Sequence, residues 1–345
     1  MLQAWHTFLQ DNNVSLSPSS QSVYEATHTS SIISDMSPFC VVTVTGKDAA
    51  TFLQRQLTNY VPDVNEGHHQ LTGWCSAKGR MLVSMRFCHH AEGYRLLLPR
   101  DSVEAILKRL RMFVFRDDVQ FVEDNDLVAL GFSGQNSADF LSNYLNTTLP
   151  EAAGAAVSVE NIQLLAITGA SPRYIAITKR SDAEKLWLAA TEAGITAMNS
   201  GAWDVLEIQN GIPHIVPEIS ESFVPQMVNF DLINGVNFTR ANGCYPGQEI
   251  VARMHYLGAP KRRMYLAEIT TTQCPVAGDT ISSTETQENV GTIVNAQHYT
   301  DSSCIALVVV KITEKDSNNL CLSNDEKALV HWQALPYDVA IEKKE

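Results

Sequence analysis

The stretch "ANGCYPGQEIVARMHYLG", residues 241–258, carries the group best suited to chemistry. Two turn-forming dipeptides, Asn242-Gly243 and Pro246-Gly247, bracket a Cys244-Tyr245 pair, and a helix-like run starts at once with Gln248 and Glu249. A thiol just ahead of a helix start feels the positive end of the helix dipole, which favours the thiolate, and Arg240 or Arg253 adds cationic charge nearby. That is the setting of a nucleophilic or redox-active cysteine. Taken on spacing alone, a cysteine that merely fills a tight turn accounts for the pattern equally well. Gln248 and Glu249 also suit any first helical turn.

The remaining cysteines point away from disulfides. Seven occur, at positions 40, 75, 88, 244, 274, 304 and 321, with no C-x-x-C and no Cys/His spacing suited to zinc, so reduced thiols and no stable metal are expected. Cys40, Cys88 and Cys304 lie in apolar, strand-like stretches and read as small core residues. The net charge is −13, which opposes the broad phosphate attraction behind non-specific nucleic-acid binding, so direct RNA contact is not expected. One basic cluster, Lys261, Arg262 and Arg263, reads as a solvated segment. The first basic residue is Lys47 and no apolar run approaches the ~18 residues that span a bilayer, which predicts no targeting signal, no membrane association and a cytoplasmic location.

The elements that must position Cys244 follow from periodicity. Residues 1–37 are rich in Ser, Thr and Asn and read as an irregular lead-in. Over 38–125, the strand "FCVVTV", a helix with Ala50, Leu53 and Leu57, the strands "MLVSMRFC" and "YRLLLP", a helix with Val103, Ile106, Leu107 and Leu110, and the strand "VQFVE" give β-α-β-β-α-β. A similar order recurs over 126–200, ending in a helix for which Ser181 and Glu184 form a capping box and Gly194 a stop. Two ferredoxin-like units are therefore predicted. A return segment, 201–255, holds the helix of Trp203 and the cysteine loop. Residues 256–345 contain short, evenly spaced strands that predict a small β-barrel, with Cys304–Val310 as a buried strand. The fold class is α+β.

"NGCYPGQEIVAR" resembles the K-G-C-Y-x-G-Q-E signature of the YgfZ family, whose members are related to the T-protein (aminomethyltransferase) of the glycine cleavage system. "VTVTGKDAATFLQRQLT", "CSAKGRMLVSMRF", "WDVLEIQNGIP" and "FVPQMVNFDLINGVNFTRANGCYPGQE" are similar to family segments in the same order, across about residues 38–340. Asn242 stands where the family has lysine. The resemblance implies three domains around a central opening, in the manner of the T-protein, with tetrahydrofolate or another folate bound there. It places Phe39 and Trp203 against the folate, with Gln248 and Glu249 at the ligand or its loop, and makes Cys244 the working thiol. It also implies support of iron–sulfur enzymes such as the tRNA thiomethyltransferase, and thus an indirect part in tRNA modification.

Two other functions compete. A folate-dependent aminomethyl transferase needs a carboxylate near the folate, but the corresponding stretch "KGRMLVSMRF" carries Val83 and Ser84 at those places. A non-catalytic, folate-regulated scaffold would leave Cys244 inert. Elsewhere the signals are weak. His68-His69 and His89-His90 are adjacent pairs whose side chains diverge, and they read as solvated or loop residues. His214 and His255 flank the signature, and Lys78 and Arg80 straddle Gly79 on a hairpin where charges face water.

Overall fold

The Ser/Thr-rich lead-in is the first place where the chain departs from its composition. In the computed structural model, which describes residues 2–15, 20–91, 93–238, 244–315, 317 and 319–339, helices α1 (Leu2–Asp11) and α2 (Ser20–Thr29) precede strand β1 (Ile32–Asp35). Trp5 and Leu9, one turn apart, are buried on α1. On α2 the hydroxyls that suggested irregular chain bond back into the helix, Thr27 to the Val23 carbonyl at 3.0 Å and Thr29 to that of Glu25 at 2.6 Å. The irregular reading of residues 1–37 is thus corrected. Trp5 Nε1 donates to Asp35 Oδ1 at 2.8 Å, fastening α1 to the end of β1.

Next come β2 (Phe39–Thr45), α3 (Ala49–Gln54), β3 (His69–Cys75), β4 (Met81–His90), β5 (Gly93–Pro99), α4 (Val103–Arg111) and β6 (Gln120–Glu123). The sheet order is β3-β4-β5-β2-β6, all pairings of β2 and β5 being antiparallel. Without β3, this is the ferredoxin-like arrangement that the sequence order predicts. Strand β3 was not predicted, because its buried His69 and Thr72 break the apolar pattern. The apolar face of α4 is buried through Val103, Ile106, Leu107 and Leu110, as its spacing requires.

The second repeat consists of β7 (Leu127–Ser133), α5 (Gln135–Tyr144), β8 (Ala156–Val159), β9 (Ile162–Ile167), β10 (Arg173–Lys179), α6 (Arg180–Glu192) and β11 (Thr196–Met198). Its sheet runs β11-β1-β7-β10-β9-β8. Strand β1 is inserted inside the repeat, antiparallel to β7 with Ile33 opposite Phe132, and parallel to β11 with Ile32 opposite Thr196. The core beneath joins Trp5 and Leu9 to Leu130, Phe132, Leu141 and Trp187, the two indoles meeting edge-on at 5.9 Å. The predicted capping box is absent: α6 begins at Arg180 without a side-chain cap, and Glu184 instead receives the Arg180 guanidinium at 2.7 Å. Gly194, at φ 83°, ends the helix as predicted.

Helices α7 (Ser200–Gln209) and α8 (Gln248–Leu257) lead to β12 (Arg262–Thr270), β13 (Thr280–Ser283), β14 (Asn289–Thr300), β15 (Ser303–Lys311), β16 (Leu320–Leu322) and β17 (Asp325–Gln333). These close as a barrel in the order β12-β15-β14-β13-β16-β17 around Ile269, Ile281, Ile293, Val308 and Leu320. Strand β15 is buried on both faces from Ser303 to Val310, which explains its unbroken apolar run.

The chain divides into two compact units that interleave its segments. One comprises Met1–Phe52, Pro62–Gln70 and Met85–Leu206; the other comprises Leu53–Val61, Leu71–Ser84 and Glu207–Glu345. Among the described residues no helix is long and apolar enough to cross a membrane.

Candidate functional site

In the barrel-containing unit, Gly247 is the N-cap of α8 at φ 79°, ψ 3°. This left-handed conformation is one that glycine adopts without a Cβ penalty. It also permits a backbone contact: a Cβ on Gly247 would stand 2.3 Å from Gly79 N and 2.4 Å from Ser76 O. Gly79, at φ 67°, sits in the turn between β3 and β4, which is closed by Ser76 N–H to the Arg80 carbonyl and Gly79 N–H to the Ser76 carbonyl, both at 2.8 Å. Two left-handed glycines therefore let the signature turn lie directly on the β3–β4 hairpin turn.

Tyr245 fixes the turn from within. It is buried, and burial, followed by the neighbouring Cys75, holds its hydroxyl above the ordinary tyrosine range. Cys244 beside it is exposed, while Cys40, Cys75, Cys88, Cys304 and Cys321 are buried and Cys274 is intermediate. Gln248 is half-buried, whereas Glu249 and Arg253 face outward. Arg240, Asn242 and Gly243 lie outside the described residues.

A buried polar chain supports α8. Gln226 Nε2 donates to the Val251 carbonyl at 2.8 Å. The Gln226 carbonyl in turn accepts from Arg263 Nη1 at 2.7 Å, and Arg263 forms a two-bond pair with Asp231 at 2.6 and 2.9 Å. Arg263 is 7% exposed, which corrects its reading as part of a solvated basic segment. Its partner lies 32 residues earlier in the chain, beyond the reach of a local charge count. Arg80 likewise donates to the Ser222 carbonyl, while Lys78 is exposed as expected.

The flanking histidines have partners of their own. His214 Nε2 lies 3.3 Å from Oε2 of the buried Glu207, and the His255 ring stacks on Phe238 at 3.7 Å and 7°. Val83 and Ser84, where a transferase would place acid, are buried on β4; Ser84 Oγ donates to the Pro213 carbonyl and accepts from Ile215 N–H. His69, read as solvated, is buried: its Nε2–H donates to the Ala166 carbonyl at 2.8 Å.

The predicted folate aromatics both fall in the other unit. Trp203 is 1% exposed and lies against Gly131, whose missing Cβ makes room for the indole; the Arg173 guanidinium covers the ring at 4.5 Å from its centroid. Its Nε1 has no hydrogen-bond partner among the described residues. Trp203 thus presents no open face, and a stacking role does not fit this placement. Phe39 is half-buried and borders a cavity of about 30 Å³, against the ~300 Å³ and more of ordinary ligand pockets.

A larger space in the same unit was not predicted. A cavity of about 770 Å³ is lined by His89, His90 and Arg95 of the first sheet and by Gln163 and Lys179 of the second. Gln163 organises its wall, accepting from Arg95 Nη1 at 3.2 Å and donating to the His89 carbonyl at 2.6 Å. Only the adjacent histidine pair hinted at it in the sequence. Cys304, read as a core residue, is buried, yet its sulfur lies 3.7 Å from His298 Nδ1 and close to Cys274. The hydrogen bond to Cys304, and then burial, push the Cys274 thiol above its ordinary range.

The GCVT N-terminal domain family matches residues 6–237. The tRNA-modifying protein YgfZ of Photorhabdus laumondii is 31% identical over 88% of this chain and 91% of its own length. The protein of the same name from Colwellia psychrerythraea is 28% identical over 89% and 94%. Among solved structures, the glycine cleavage system aminomethyltransferase T from Bartonella henselae superposes with a TM-score of 0.74, covering 92% of this chain and 89% of that one at 15% identity. That likeness establishes a shared fold.

Proposed function

The chain belongs to the YgfZ family, and from that premise we propose that it serves tRNA modification in the cytoplasm through the thiol of Cys244, supporting iron–sulfur enzymes such as the tRNA thiomethyltransferase. The observation that carries this reading is the placement of Cys244. It is the exposed cysteine of the seven, on a turn locked to a hairpin by Gly247 and Gly79. An exposed sulfur beside a turn that packs on a hairpin is accessible to exchange with a partner. Iron–sulfur clusters usually take four thiolates, so any contact of Cys244 with a cluster is shared with that partner or a small thiol. The relatives' name, tRNA-modifying protein, supports the same direction. The net charge of −13 favours an action through enzymes over direct tRNA contact.

Tetrahydrofolate or another folate belongs to the reading as a ligand on the strength of the family resemblance. The covered ring of Trp203 leaves it the role of a wall. A one-carbon transferase is disfavoured, because Val83 and Ser84 supply no carboxylate.

Expression of the chain and of its Cys244→Ser variant in a bacterium lacking its own YgfZ, followed by measurement of thiomethylated adenosine in tRNA, tests the proposal. Restoration by the natural chain and not by the variant is expected. Equal restoration by both would make the cysteine structural and favour the scaffold; restoration by neither would remove the assigned function.

A further inference from the structure

At one end of the barrel the register of three strands assembles a group that no local spacing encodes. His298 of β14 stands directly opposite Cys304 of β15. Cys304 is also opposite Ile269, near the end of β12, and the chain leaving β12 at Thr270 reaches Cys274 within a few residues. The ligand atoms of Cys274, His298 and Cys304 lie within 4.8 Å of one another, and Cys304 Sγ is 3.7 Å from His298 Nδ1. With Zn–S near ~2.3 Å and Zn–N near ~2.0–2.1 Å, the edge between two ligands of a tetrahedron is about 3.5 to 3.8 Å. The sulfur–nitrogen separation is already of that length.

We propose that Cys274, His298 and Cys304 bind a thiophilic cation of the Zn²⁺ class. Two sulfurs and an imidazole select borderline or soft metals over Mg²⁺ and Ca²⁺, which take oxygen ligands. Two thiolates balance a doubly charged ion, which suits a site whose deepest ligand, Cys304, is wholly buried. Among the described residues the group comprises these three, and Cys274 and His298 are partly exposed. The fourth coordination position is open to water or an incoming thiol. Closed structural sites use four protein ligands, so this one is built for exchange. The proposal is independent of Cys244 and of the reading drawn from it.

The test uses the full chain, reduced, stripped with a chelator and titrated with Co²⁺ in the absence of oxygen. Saturable binding with a cobalt–thiolate charge-transfer band and tetrahedral d–d bands is expected, displaced by Zn²⁺ and unchanged in Cys244→Ser. Cys274→Ser and His298→Gln, at partly exposed positions, should each weaken binding at least tenfold. Zn²⁺ should raise the melting temperature of the natural chain more than that of His298→Gln, a comparison that stands even if one cysteine variant folds poorly. Absence of the thiolate band, a Co²⁺ affinity and band intensity in Cys274→Ser equal to those of the natural chain, or loss of the band in Cys244→Ser would overturn the assignment. So would a reduced protein that binds no metal but joins Cys274 to Cys304 on mild oxidation, since the pair would then be a redox couple.

Discussion

Acidification should destabilise the first compact unit through one imidazole. Burial, and next the nearby Arg86 cation, hold His69 down at about 4 from its ordinary 6.5. Its Nε2–H is committed to the Ala166 carbonyl, and its Nδ1 is buried with no acceptor among the described residues, so a second proton has nowhere to bond. Above pH 6.5 the ring is neutral in both folded and unfolded chains and contributes no pH dependence. As the pH falls from about 6.5 to about 4, the unfolded chain takes up a proton that the native one refuses, and stability is lost. Below about 4 both forms carry the proton and the loss levels off. At ~1.36 kcal/mol per decade the full gap corresponds to about 3 kcal/mol, of which about 2 kcal/mol is gone by pH 5. Carboxylates titrate over part of the same range, so the comparison is with His69→Gln, whose amide can still donate to Ala166 but does not ionise. Urea unfolding of both proteins between pH 7.5 and 4 should show the natural chain losing about 3 kcal/mol more than the variant. Parallel curves, or a His69 ring that titrates near 6.5 by NMR in the folded protein, would refute the reasoning.

Three further outcomes are expected. Gly247→Ala forces both a left-handed alanine and a backbone collision with Gly79, so it should cost more than ~2 kcal/mol, whereas Gly194→Ala, with nothing within 4 Å of the new Cβ, should cost ~1 kcal/mol; equal denaturant midpoints would contradict this. Arg263→Ala strands the buried Asp231 carboxylate and should destabilise by ~3–5 kcal/mol, while replacing both residues with leucine should recover most of the loss in a double-mutant cycle. Alkylation of the native chain at pH 8, read by peptide mass spectrometry, should modify Cys244 first and spare Cys40, Cys75 and Cys88, which burial pushes up to about 12; early labelling of those three would count against the placement.

What the sequence conveyed was what repeats locally. The face of α4, the long apolar run of β15 and the Pro246-Gly247 turn ahead of α8 each declare themselves within a dozen residues, and from such local patterns the two ferredoxin-like repeats and the barrel follow. What it withheld depends on distant partners. The hydroxyls of α2 read as loop because their bonds to the preceding turn are invisible in composition. Arg263 read as solvated because Asp231 is remote in sequence. The Cys274, His298 and Cys304 group exists only through strand register. Trp203 could be placed on a helix, but that Arg173 caps its ring is a tertiary fact.

The position of β1 inside the second sheet also constrains the order in which the protein can be made. Ile32 emerges early from the ribosome, yet its antiparallel partner is Ser133 and its parallel partner is Thr196. At ~5–20 residues per second, the strand waits on the order of ten seconds for β7 and longer for β11. Throughout that interval two adjacent isoleucines and an unpaired strand edge are exposed on the nascent chain. The second repeat, once synthesised, cannot close its sheet from its own residues, because the slot between β7 and β11 is filled from the other end of the unit. The vulnerable species during biosynthesis is therefore a chain in which β1 is made and its partners β7 and β11 are not, and the translation rate up to residue 198 governs how long it persists.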